Sequence, residues 1–444
     1  MGVRWEPSTL VHFRVDNDAG QTQDESHMPI RSYAQHVVPL KKKLTPSDPS
    51  PRLKAVQFFF PLPGVPNTML RSRIAQRRWF ALVLWLLVLP GLAAAQPSSD
   101  GRIQRAADVL DTYIDTTEVP SISGAVAVDG EIVWTGAFGH ADLTHRVPAT
   151  DSTRYRIASI SKPFASTLAL MLAEEGRLDL DAPIRSYLPL FPAKRAPITT
   201  RQLLSHTAGI RHYEGEEFRS DQRYESRLGP IAIFADDPLV HEPGTTFSYS
   251  TYGFTLASAV LEAAADSSFL ELMDARIADP LGLNTLVPER TERVIPNKAS
   301  FYLVESDSGA TGDTTVENAP FVDNSNKWAG GGLLATPADV TRFVLGLLHG
   351  DLLPDDRVEA LFAPEAPIED ESHHYGLGWF VDEDDQGRRR VWHTGGAMGG
   401  SGIVAFFPDR QMVITTLANA NSVPHSDLAK EMSEVLLENK REME

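Results

Sequence analysis

The spacing of apolar positions changes several times along this chain, and each change marks an element. From Gly101, the positions Ile103, Ala107, Leu110 and Ile114 recur at helical spacing and predict an amphipathic helix. The stretch GAVAVDGEIVWTGAFG then holds two β-rich runs around Asp129–Gly130, a hairpin turn dipeptide. A second helix is predicted from the stretch RIASISKPF, with Phe164, Leu168, Met171 and Leu172 inward and Gly176 as its stop. From about Asp179 to Leu348 the pattern is one of short helices and proline-rich loops, with no repeat period. Strands are predicted again at Tyr375–Val381, Arg388–Gly395, Gly402–Phe407 and Gln411–Asn419. The polar turns DEDDQG and PDR join two of the pairs. A last helix, roughly Ser426 to Lys440, turns Leu428, Met432, Val435 and Leu436 one way. Strands near both ends and helices between them predict an α/β (α+β) fold. One antiparallel sheet is built from both chain ends, with flanking helices and a mostly helical middle region on one side. A cleft is expected where the two parts meet.

The first hundred residues follow a different pattern. Residues 1–68 lack sustained periodicity and are expected to be an upstream or disordered segment outside the fold. Residues 69–95 run from four arginines through the apolar stretch Trp79–Leu89 to Ala93–Ala94–Ala95. That order reads as a signal peptide; the competing reading is a membrane anchor, for which the run is short. The expectation is a secreted or periplasmic protein beginning near Gln96. Residues 96–444 would form one domain with no stable membrane span.

Composition removes several chemistries. The chain of 444 residues contains no cysteine, which excludes disulfides, thiol nucleophiles and Cys-based zinc sites. No HExxH pair occurs among its thirteen histidines. Its net charge is −18, and residues 1–95 carry 12 Lys/Arg against 6 Asp/Glu, so the remainder holds 29 against 53. Nucleic acid is therefore not expected as a partner.

Three short motifs carry candidate chemistry. Ser159 and Lys162, at i and i+3, share a face on a helix. A serine hydroxyl needs a base to take its proton, and a lysine serves only when its amine is neutral. The alternative is a helix-capping serine beside a surface charge. Tyr249 follows a Pro–Gly turn and precedes a small-residue helix, as a core aromatic or as a proton relay in a cleft. The stretch WHTGGAMGG, Trp392–Gly400, is either a glycine-rich turn or a strand that lets a substrate backbone approach closely.

SxxK, then YxT about ninety residues later, then HTG on a late strand occur in the order of a known superfamily. With LLSHTAGIRHYE, WAGGGLLATPADVTRF and YGLGWFV, they resemble the serine β-lactamase and penicillin-binding-protein superfamily, class C-like branch. RIASISK, FSYSTYGFTL, PFVDNSNKWAGGG and HTGGAMGG resemble its mitochondrial serine β-lactamase-like members. The resemblance spans about Arg102 to Glu434 and implies a β-lactamase/transpeptidase-like fold. It further implies Ser159 as acylated nucleophile, Lys162 as base and Tyr249 as proton relay. The backbone N–H groups of Ser159 and Gly396 would form the oxyanion hole. Thr251, His393, Thr394 and Gly395 would bind substrate. Thr251 replaces a frequent asparagine, and His393 replaces the lysine usual in β-lactamases. His393 is therefore expected to favour substrates without a carboxylate, except as falling pH charges it.

The function so implied is a serine hydrolase acting through an acyl-enzyme, without metal or cofactor, on a peptide or small acyl substrate. A peptidase is expected first, then a D-amino-acid carboxypeptidase or carboxylesterase, then a β-lactamase. The reading of a different class is a non-catalytic or filament-forming scaffold, and a homo-oligomer is compatible with either.

Overall fold

In the computed structural model of the chain, the described residues are 101–438, apart from 227, 307–313 and 366–372. The expectations for residues 1–68 and for a signal at 69–95 lie outside them.

Eight strands form one antiparallel sheet. β1 (Ser121–Val128), β2 (Glu131–Asp142) and β3 (Val147–Pro148) precede the helical middle of the chain. β4 (His373–Tyr375), β5 (Phe380–Glu383), β6 (Arg389–Ala397), β7 (Gly400–Phe407) and β8 (Met412–Ala418) follow it. The spatial order is β3-β2-β1-β8-β7-β6-β5-β4. The two contributions meet between β1 and β8, where Ile122 faces Ala418 and Ala127 faces Val413. The predicted hairpin turn is present: Asp129 and Gly130 have φ of 52° and 81°, as a two-residue turn with both residues left-handed requires.

Five helices of twelve or more residues surround the sheet: α1 (Gly101–Asp115), α2 (Ser161–Glu174), α3 (Thr251–Ala265), α4 (Pro337–Leu348) and α5 (His425–Leu437). α1 and α5 cover one face through Leu110, Leu428 and Met432, which pack with Ile122, Val126 and Ile414. The other face belongs to a larger core that includes α2, α3 and α4, where the rings of Phe164 and Phe343 stack at 3.8 Å. β7 and β8 are buried throughout, which is why they read as unbroken apolar runs. Eleven of the fourteen residues of α2 are buried, so it has no polar face at all.

Two expectations change. The predicted strand Tyr375–Val381 is a hairpin: Phe380 pairs with Tyr375, and residues 376–379 form the turn between β4 and β5. Gly378 has φ of 80°, and a Cβ there would lie 2.5 Å from Ser166 Oγ, so only glycine fits this close approach to α2. The helical middle also contains strands that sequence periodicity did not reveal. Tyr302–Ser306 pairs with Thr314–Asn318. Tyr155–Arg156 and Val287–Pro288 flank Leu333–Ala335. Runs of two to five residues are too short to establish a period.

Candidate active site

Ser159 lies in a 3-10 turn, Ala158–Ile160, that runs into α2. The preceding Ala158 has φ of 48°, a left-handed conformation costly for alanine, and it is buried. The N-cap of α2 is Ile160 and no side chain caps it, which removes the reading of Ser159 as a capping serine. Lys162 is wholly buried, which removes the surface-charge reading of its partner.

Lys162 Nζ lies 2.9 Å from Ser159 Oγ, 2.7 Å from the Gly330 carbonyl and 3.3 Å from Thr251 Oγ1. A neutral amine has two N–H donors and one lone pair. The Gly330 carbonyl and Thr251 Oγ1 take the two donors, which leaves the lone pair directed at the Ser159 hydroxyl. Burial, and then the charge of Lys327, hold the Lys162 amine well below its ordinary value, so the neutral form is favoured.

Tyr249 enters the same site from the segment before α3. Its ring lies 4.8 Å from Lys162 Nζ, and its phenol is hydrogen-bonded to Ser159. Burial pushes the phenol above its ordinary value, and the bond to Ser159 opposes this only in part, so Tyr249 keeps its proton. Two histidines fix the start of α3. His206 Nδ1 accepts the Ser250 N–H at 3.0 Å, and His212 Nδ1 accepts the Thr251 N–H at 3.2 Å. The His206 ring packs on Tyr249 with centroids 4.1 Å apart. Neither histidine was assigned a role from sequence, although both lie in LLSHTAGIRHYE. No spacing rule connects that stretch to an amide pair some forty residues later.

Along β6, successive side chains point to opposite faces. Positions 393 and 395 point inward: His393 is 1% exposed and Gly395 is buried. A Cβ on Gly395 would lie 2.3 Å from the Ile157 carbonyl, so glycine allows β6 to lie against the nucleophile turn. Thr394 is half-buried and Gly396 is exposed, with open space where its Cβ would be. β5 pairs with β6 no further than Trp392, while β7 pairs along the whole segment from His393 to Ala397. One edge of that segment therefore has no strand partner among the described residues.

Two expected substrate-binding side chains are occupied otherwise. His393 Nδ1 lies 2.6 Å from the Thr394 carbonyl and Nε2 lies 3.1 Å from the Tyr375 phenol. Nδ1 thus carries the proton and Nε2 accepts from Tyr375. Burial, and then the charge of Lys162, push this imidazole down to about 3. The expectation that His393 gains charge near pH 6 is therefore corrected: the ring stays neutral over that range. Thr251 is 3% exposed, and its hydroxyl is taken up by Lys162 and the Tyr213 phenol. Its side chain does not stand in for the family's amide-orienting asparagine.

A buried lysine and a tyrosine on one serine, beside a strand edge, are the parts that the three motifs implied. The chain matches the Beta-lactamase family over residues 106–437. This chain belongs to the Beta-lactamase family. It is 30% identical over 416 residues to the human mitochondrial serine beta-lactamase-like protein LACTB, covering 72% of this chain and 74% of that one. The D-stereospecific amidohydrolase from Streptomyces sp. superposes with a TM-score of 0.63 at 26% identity, over 74% of this chain and 97% of that one. The octameric penicillin-binding protein homologue from Pyrococcus abyssi gives 0.65 at 23% identity, over 76% and 77%, and shares the fold. As a member of the Beta-lactamase family, the protein is a serine hydrolase.

Proposed function

We propose that this Beta-lactamase family member is a peptidase working through an acyl-enzyme on Ser159. The observation that carries the reading is the 2.9 Å approach of the buried Lys162 amine to Ser159 Oγ. In the first step Lys162 takes the Ser159 proton as Oγ attacks the substrate carbonyl carbon. The oxyanion forms against the backbone N–H groups of Ser159 and Gly396. The Tyr249 phenol donates its proton to the departing amine and is reprotonated from Lys162. Water then attacks the acyl ester by the reverse proton path and frees Ser159. His206 and His212 act by position, through the amides of Ser250 and Thr251.

The free edge of β6 supports a peptide over a compact ester. An extended backbone can pair there as an added strand, beside the exposed Gly396. D-configured amides are the second reading, favoured by the likeness to the amidohydrolase. The test is a panel of L-peptides, D-amino-acid peptides, p-nitrophenyl esters and a chromogenic cephalosporin, run beside Ser159→Ala. The peptidase reading expects the highest kcat/KM on an L-peptide and its loss in Ser159→Ala. A protein that turns over none of the panel and resists fluorophosphonates would be a scaffold instead. Export after cleavage near Gln96 is also a proposal, tested by N-terminal sequencing of the exported protein.

A further inference from the structure

Lys327 lies just before the short helix Trp328–Gly331, whose Gly330 carbonyl receives the catalytic lysine's N–H. It is 7% exposed, and its ammonium sits 5.1 Å from the ring centres of both Tyr213 and Phe218. Among the described residues it has no hydrogen bond and no ion pair. A charge this deeply placed is ordinarily paired.

The carboxylates nearby are committed elsewhere. Glu289 is held in a two-pronged ion pair by Arg156 at 2.7 and 2.9 Å, takes the Asn324 amide at 2.6 Å, and has Lys298 at 3.7 Å. Asp323 accepts from Thr291 Oγ1 and from the Ser325 amide. Three cations, Arg156, Lys298 and Lys327, thus surround one glutamate, in a chain whose net charge is −18. The surplus positive charge is local and belongs to Lys327.

His212 adds a donor. Its Nδ1 accepts the Thr251 N–H, so the proton is on Nε2, for which no described residue supplies an acceptor. The ring is half-buried and packs on Tyr213 at 4.4 Å, the same ring that Lys327 overlies. From Tyr213 the path to the nucleophile is short: its phenol meets Thr251, Thr251 meets Lys162, and Lys162 meets Ser159.

We propose that Lys327 Nζ and His212 Nε2–H form an anion subsite beside the nucleophile, which binds a substrate carboxylate against the rings of Tyr213 and Phe218. The inference rests on the peptidase reading and gives it a substrate class: peptides with an acidic side chain near the scissile bond. It also supplies a carboxylate anchor in place of His393, which is buried, neutral and bonded through both nitrogens. A charge-assisted hydrogen bond in a desolvated pocket discriminates strongly against the uncharged isostere.

The test uses quenched peptides in which one Gln at a time, on either side of the scissile bond, is replaced by Glu. The Glu/Gln ratio of kcat/KM is read at pH 7. Wild type should favour Glu at one position by about tenfold or more, a difference of about 1.4 kcal/mol. Lys327→Met should bring that ratio to near one, and Lys327→Arg, which keeps the charge, should hold it within about threefold of wild type. General damage to catalysis by either substitution cancels in the ratio. Gln peptides cleaved without any Glu preference, or a preference that survives in Lys327→Met, would overturn the subsite. Cleavage of neither series by wild type would instead sink the peptidase reading, and the subsite with it.

Discussion

The imidazole of His393 and the phenol of Tyr375 lie 3.1 Å apart inside the core, so the late-strand histidine faces a buried tyrosine rather than solvent. This relationship changes what a lysine at that position would do. His393→Lys would place an ammonium at a site 1% exposed and close to Lys162. The expected outcome is a loss of about 3 kcal/mol or more in stability, as for an uncompensated buried charge, with no gain on carboxylate substrates. Urea unfolding of the two proteins measures it. A variant as stable as wild type would return the side chain to the cleft.

Stability should depend on pH through the buried histidines. His393 and His425 are both pushed down to about 3, chiefly by burial, and His206 is pushed well below its ordinary value. Above about pH 6.5 these residues are neutral in folded and unfolded chains alike and contribute no slope. Below it the unfolded chain takes up protons that the folded chain refuses, so stability falls as pH falls toward 3. Each such histidine adds a slope of up to about 1.4 kcal/mol per pH unit. His425 lies away from the catalytic serine, bonded to Ser401 and Thr416, and is the clean probe. His425→Gln should flatten the curve of unfolding free energy between pH 4 and 6 by close to one proton. An unchanged slope would mean that His425 titrates normally in the fold.

The neighbouring glycines of β6 should respond differently to one methyl group. Gly395→Ala drives a Cβ to 2.3 Å from the Ile157 carbonyl, so β6 or the nucleophile turn must shift. A stability loss of about 2 kcal/mol or more is expected from overpacking. Gly396→Ala meets nothing within 4 Å and should fold as wild type while hindering substrate. Thermal unfolding of both variants decides the matter, and equal losses would contradict the inward–outward alternation.

Much of this architecture was legible in the chain because its signals are local. The Asp129–Gly130 turn, the apolar runs of β7 and β8, and the stripe of α1 each declare themselves within a dozen residues. The pairing of Ser159 with Lys162 was legible for the same reason. What escaped depends on contacts between distant segments. YGLGWF reads as a strand until Gly378 is seen against Ser166 of α2. Which of His393 and Thr394 faces the cleft is a question of register, and strand periodicity fixes the alternation but not the face. His206, His212 and Lys327 act on groups far from them in sequence, so nothing near them announced a role.

Tyr249 should be needed for proton transfer rather than for packing. Tyr249→Phe keeps the ring beside His206 and Lys162 and removes the hydroxyl bonded to Ser159. Normal folding with acylation slowed by roughly 100-fold is the expected result, read by stopped-flow on an activated ester. Full activity would make Tyr249 a core aromatic.

The central claim is that Lys162 is a neutral base held on Ser159, and the rate of Ser159 labelling by a fluorophosphonate between pH 5.5 and 9.5 tests it most directly. Burial and Lys327 lower the amine, so wild type should label at Ser159 and keep most of its rate through pH 7. Lys162→Ala should lose about 100-fold or more across the range. A wild-type rate that climbs only toward the ordinary lysine value near pH 10, or a Lys162→Ala protein that labels as fast as wild type, would contradict the account.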